Sequence, residues 1–143
     1  MGSIDAHKRK LIDTTKKALY LGIEQARENN HLSDISYAIQ RCAESKGFSV
    51  VRQFVGHGIG VKMHEEPEIP NFGRPHQGPR LLAGMVLAIE PMVNMGSWEV
   101  DVLDNGWTAV TRDGLPSAHF EHTVAITKEG PLILTSLAEA QPN

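Results

Sequence analysis

The feature that most constrains this fold is a change of period at Phe48. Before it, apolar residues recur every three or four positions; after it come short β-rich runs. Over residues 6–28, Leu11, Thr15, Ala18, Leu19, Gly22, Ile23 and Ala26 share one helical face, and Lys and Glu take the other. Asn29-Asn30-His31 breaks the pattern as a turn. A second helix is expected next, with Ser33 as its N-cap and Asp34 suitably charged in its first turn. Leu32, Ile35, Ala38, Ile39, Cys42 and Ala43 form its apolar side, and Gly47 stands where a left-handed residue ends a helix. Helices first and strands later give an α+β class.

From Phe48 to Val55 the run is β-rich and leads straight into Gly56. Residues 67–84 are dense in Pro and Gly, too long for an ordinary connection, and read as a functional surface loop. Strands are expected at 85–89, 108–111, 121–127 and 132–135, the last after a turn at Glu129-Gly130. Residues 1–5 read as a cloning remnant or a disordered start, 6–137 as one folded unit, and 138–143 as a disordered tail.

The chain has 143 residues, enough for one domain with a real core. A net charge of −3 gives no reason to place nucleic acid or an anionic membrane among its partners. The single cysteine, Cys42, allows no internal disulfide, which fits a reducing cytoplasm. Its place in an apolar stripe makes it a packing residue. No apolar run approaches the roughly 18 residues of a membrane-spanning helix, and the N-terminus lacks the apolar core of a signal peptide.

Three separated stretches carry imidazoles and carboxylates. They are Gly56-His57-Gly58-Ile59-Gly60 with His64-Glu65-Glu66-Pro67, then Ile89-Glu90-Pro91-Met92, then His119-Phe120-Glu121-His122-Thr123. Imidazole and carboxylate are the ligand types of divalent first-row metals. Glu90 ends an apolar strand, where a carboxylate is costly to bury unless paired or coordinated. Alternation puts Glu121 with His119 and Thr123 on one face, and Phe120, His122 and Val124 on the other. His122 therefore reads as structural. The glycines around His57 do not make a dinucleotide motif, because a strand and not an opening helix is at hand. His64-Glu65-Glu66-Pro67 is not a zincin helix, since the second His is missing.

These motifs, with Asp104-Asn105-Gly106-Trp107-Thr108, carry a resemblance. Residues 11–135 resemble the C-terminal part of a type I methionine aminopeptidase. The resemblance implies half of a pita-bread fold: a curved antiparallel sheet with two outer helices. It implies a dinuclear site for Co, Mn, Fe or Zn, built in the family from two Asp, one His and two Glu. By position His57, Glu90 and Glu121 match the His and both Glu. Glu90 also takes the proton of the attacking water in the family, and Glu121 matches the bridging carboxylate. His64 matches the residue that hydrogen-bonds the scissile carbonyl and the gem-diolate formed from it, which makes His64 and Glu90 the catalytic pair. Trp107 matches a wall of the methionine pocket. Met63 stands where an aromatic wall residue is common.

The two Asp ligands have no counterpart in this sequence, and Asp101, Asp104 and Asp113 lie in a turn region away from the ligand strands. The implied substrate is the N-terminal Met of nascent chains, and the implied place is the cytoplasm. The implied partner is the missing N-terminal half, or a second copy of the chain. Paired about a twofold axis, two copies would present four glutamates and two histidines at one centre. The alternative reading is a non-catalytic half domain that binds peptides or self-associates. A proline dipeptidase of the same fold is the third reading, and the segment around Trp107 argues against it.

Overall fold

Asp5, grouped above with the leading remnant, starts the first helix. Its carboxylate accepts from the amides of His7 at 2.8 Å and Lys8 at 3.3 Å, two of the donors a helix start leaves free. Helix α1 then runs Ala6–Gln25. The computed structural model describes residues 3–136; residues 1–2 and the tail expected at 138–143 lie outside them. The helix stops short of Glu28 because the side-chain amide of Asn30 caps the Gln25 carbonyl at 2.9 Å, while Asn29 turns to φ 71°.

Helix α2 spans Leu32–Glu44. Its N-cap is His31 and not Ser33: the Asp34 carboxylate reaches back to the His31 amide at 2.9 Å. The Ser33 hydroxyl instead accepts from the Gln77 amide at 2.7 Å. Gly47 has φ 83°, the left-handed residue expected there. The two helices press together at Gly22, where an added Cβ would sit 2.9 Å from Cγ1 of Ile39.

The strands are β1 (Ser49–Val50), β2 (Gly56–Gly58), β3 (Glu65–Ile69), β4 (Val86–Ile89) and β5 (Met92–Asn94). Then come β6 (Val100–Val102), β7 (Ala109–Thr111), β8 (Ser117–His119), β9 (His122–Thr127) and β10 (Gly130–Ile133). All pairings are antiparallel, in a five-stranded sheet β10-β9-β4-β2-β3, a three-stranded sheet β1-β5-β8 and a hairpin β6-β7. The α+β class holds, with the strands divided among sheets. The core joins Leu11, Leu19 and Ile23 of α1 to Ile35 and Ile39 of α2, and both to Leu87, Ile89, Val93, Val124 and Ile126 of the sheets. Cys42 lies buried in it, and burial pushes its thiol pKa up.

Two expectations are corrected. The strand read through Val55 is paired only at Ser49–Val50. The loop read from residue 67 begins later, since Pro67 lies inside β3, and it is tied down against α2. Asp34 accepts from the His76 amide at 2.8 Å, Gln40 from the Gly73 amide at 3.0 Å, and the Leu81 amide donates to Asn30 O at 2.8 Å. β3 is an edge strand, and Glu65, Glu66 and Glu68 make that edge unattractive for further pairing.

Candidate metal centre

Two short connections build the site. Glu90-Pro91 links β4 to β5, and Phe120-Glu121 links β8 to β9. β4 pairs with β9 in one sheet, with Ile89 opposite His122. β5 pairs with β8 in the other, with Met92 opposite His119. Both connections therefore pass from sheet to sheet at the same seam, side by side, and the Phe120 amide donates to Pro91 O at 3.4 Å. Glu90 and Glu121 lie just outside the paired residues, facing a common space.

His57 arrives from β2, opposite Ala88 of β4. The flanking glycines are needed for close approach: a side chain at Gly56 would enter the carbonyl oxygen of Ala88, and one at Gly58 that of Glu66. Nδ1 of His57 lies 2.9 Å from Gly58 O. A carbonyl only accepts, so Nδ1 carries a hydrogen, and the ring turns Nε2 toward Glu90. That Nε2 lies 3.6 Å from Oε1 of Glu90, with both side chains only 14% exposed. An imidazole nitrogen and a carboxylate oxygen set side by side in a half-dry place are suited to share a cation. Donors on a tetrahedral ion with bonds near 2.1 Å stand about 3.4 Å apart, so the gap has the right width.

On the other side of the carboxylate, Nε2 of His119 lies 3.5 Å from Oε2 of Glu90. The Glu90 carboxylate, as hydrogen-bond partner and charge, holds the His119 pKa above its ordinary value, against partial burial. Glu90, His119 and Glu121 each offer a donor atom, all within 4.8 Å of one another. His57 joins this group through Glu90. The donor set, imidazole nitrogen with carboxylate oxygen, fits a divalent first-row metal.

The ring of His64 lies 4.2 Å from that of His57, centre to centre, tilted by 44°. Both border a cleft of about 430 Å³ with Val55, Glu65, Glu66 and Glu68. A larger cleft, about 750 Å³, lies at the start of α2 beside Asn29, His31, Asp34 and His76, and holds none of the motif residues. His31 and Asp34 in its wall are occupied in capping α2, so the smaller cleft is the better candidate. Met63, 73% exposed, precedes His64 in the chain and does not line this cleft. Trp107 sits on the turn of the β6–β7 hairpin, 91% exposed.

His122 turns away, as alternation predicts: Nδ1 meets the Thr135 hydroxyl at 2.8 Å and the ring packs edge-on to Tyr20 of α1. Two of the three Asp residues of the turn region are engaged locally. Asp101 pairs with Arg112 at 2.8 Å, and Asp113 accepts from the amides of Ser97 and Leu115. Sequence reasoning gave His119 no role. The signal was there, because alternation had already put it on the Glu121 face.

Comparisons with known proteins bear on the family and the fold. A methionine aminopeptidase of Clostridium perfringens is 62% identical over 135 residues, 94% of this chain and 54% of that protein. The crystal structure of a methionine aminopeptidase from Thermotoga maritima superposes with a TM-score of 0.93 at 47% identity, over 96% of this chain and 55% of that one. A prolidase from Pyrococcus furiosus matches with a TM-score of 0.73 at 22% identity, over 96% of this chain and 35% of that one, a likeness of fold alone. The chain spans about half the length of the curated relatives it matches. Residues 1–128, which hold all three motifs and the seam between the sheets, match metallopeptidase family M24, and the chain belongs to that family.

Proposed function

We propose that this chain is the metal-holding stretch of a methionyl aminopeptidase, a hydrolase that removes N-terminal methionine from nascent proteins in the cytoplasm. The observation that carries the reading is the seam: His57, Glu90 and Glu121, from three separated motifs, come to one place with His64 beside them. The names of the relatives support the substrate class.

His57, Glu90 and Glu121 would hold the ion, with Mn, Co, Fe and Zn all compatible with these donors. A divalent ion there supplies Lewis acidity that makes water nucleophilic at neutral pH. Glu90 takes the proton of the attacking water and returns it to the leaving amine as the C–N bond after residue one breaks. His64 donates to the scissile carbonyl oxygen as it gains charge. Met63, His64 and Trp107 contact the first residue of the substrate. The family's two Asp donors would come from a complementing N-terminal half or from a second copy of this chain.

The test is hydrolysis of a Met-Ala-Ser peptide with Mn or Co, with Glu121→Ala as control, alone and with the N-terminal half of a relative added. Turnover that disappears in the variant supports the reading. A folded chain that stays inactive under both conditions overturns it. The exposed Met63 and Trp107 favour a second reading, peptide binding without turnover. Metal-independent binding of the same peptide would mark that case.

A further inference from the structure

The Glu90 carboxylate stands between two imidazoles. Oε1 faces His57 and Oε2 faces His119, at 3.6 Å and 3.5 Å. The ligand set carried over from the motifs uses only the first. The geometry points to His119 as a direct ligand of a divalent cation in this chain. With Glu90 and Glu121 it completes a three-donor site that needs nothing from outside this stretch.

Placement, spacing and freedom of movement carry this inference. The β5–β8 pairing sets His119 opposite Met92, two residues beyond Glu90, so the backbone itself brings the imidazole to the seam. The 3.5 Å gap between Nε2 and Oε2 is close to the separation of about 3.4 Å expected for neighbouring donors on one tetrahedral ion. The three donor atoms lie within 4.8 Å of one another, within reach of one ion. The His119 side chain is 47% exposed, which leaves it room to turn toward an ion, and Glu90 is 14% exposed.

The competing account is a hydrogen bond: His119 would orient Glu90 without touching the ion. Glutamine separates the two. Its amide can donate to Glu90, but it is not an imidazole ligand.

The inference rests on the metal-dependent reading above, and binding measurements separate their failures. The full chain, freed of metal, is titrated with Mn(II), followed by the EPR signal of the free ion, and with Co(II), followed by visible absorption. Parent, Glu121→Ala, His119→Ala and His119→Gln are compared, with circular dichroism confirming the fold. The expected result is one ion per chain, with affinity reduced at least about tenfold in both His119 variants and the Co(II) bands shifted. Parent-like binding in His119→Ala overturns the inference. Restoration by His119→Gln also overturns it, and makes His119 a positioning residue. If Glu121→Ala alone loses the ion, the metal reading stands and His119 is not a ligand. A folded parent that binds neither ion at millimolar concentration overturns both.

Discussion

His57 Nε2 faces Glu90 Oε1 across 3.6 Å, and a hydrogen of that ring is on the opposite nitrogen, given to Gly58 O. These two side chains are held together in the folded chain and dispersed in the unfolded one, so a cation that both coordinate binds the native state selectively. Mn(II) or Co(II) at about 100 times its dissociation constant should then add about 2.7 kcal/mol, roughly 10 °C in melting temperature. EDTA should reverse the gain. His57→Ala should cut it by more than half. Thermal melts with and without metal measure this, and an undiminished gain in the variant would remove His57 from the ligand set.

Gly22 lets α1 sit against Ile39 of α2, where a Cβ would lie 2.9 Å from Cγ1. Gly22→Val should overpack this crossing and cost about 1–3 kcal/mol in urea unfolding. Combining it with Ile39→Ala should cost less than the sum of the two changes, because the second makes room for the first. Strict additivity would mean that the helices separate instead of repacking.

Much of this was legible in the sequence, and the gaps have physical causes. The 3.6 period fixed the helix faces, so Leu11, Leu19, Ile23, Ile35 and Ile39 were read as core and are buried. The N-cap was misplaced, since Ser33 is a favoured capping residue by type and only the loop at Gln77 decides how its hydroxyl is used. Strands β5, β6 and β8 have three residues each, too short for alternation to register. β3 was hidden by its three glutamates and proline, which suit an edge and not a core strand. His57, Glu90 and Glu121 were singled out because each stood in a distinctive motif. His119 stood in one too, but only the pairing of β5 with β8 reveals its distance from Glu90.

Asp34 fastens both the start of α2 and the long loop. One oxygen accepts from the His31 amide at 2.9 Å, the other from the His76 amide at 2.8 Å, and the His76 ring lies 3.2 Å away. Asp34→Ala leaves two amides without their acceptor and should cost about 1–3 kcal/mol. Asp34→Asn, which still offers one oxygen, should cost less. Hydrogen exchange should quicken at His76 and Gln77 in the alanine variant while the α1 interior is unchanged. Equal exchange at those amides would show that the loop is held by its other contacts.

The β6–β7 hairpin carries an acid-sensitive pair of carboxylates. Hydrogen bonds from Arg112 hold the Asp101 pKa below its ordinary 3.8, and the amides of Leu115 and Ser97 do the same for Asp113. A folded-state pKa below the unfolded value adds stability above the unfolded pKa, and that stability is lost as pH falls through the folded one. The contribution should be constant above about pH 5 and decline below about pH 4. Asp101→Asn combined with Asp113→Asn removes the titration. The stability difference between parent and double variant should therefore shrink toward zero as the pH is lowered from about 6 to about 3. Urea unfolding followed by tryptophan fluorescence measures it, since Trp98 and Trp107 flank the hairpin strands. A difference that stays constant across that range would mean these carboxylates hold the hairpin by shape and not by charge.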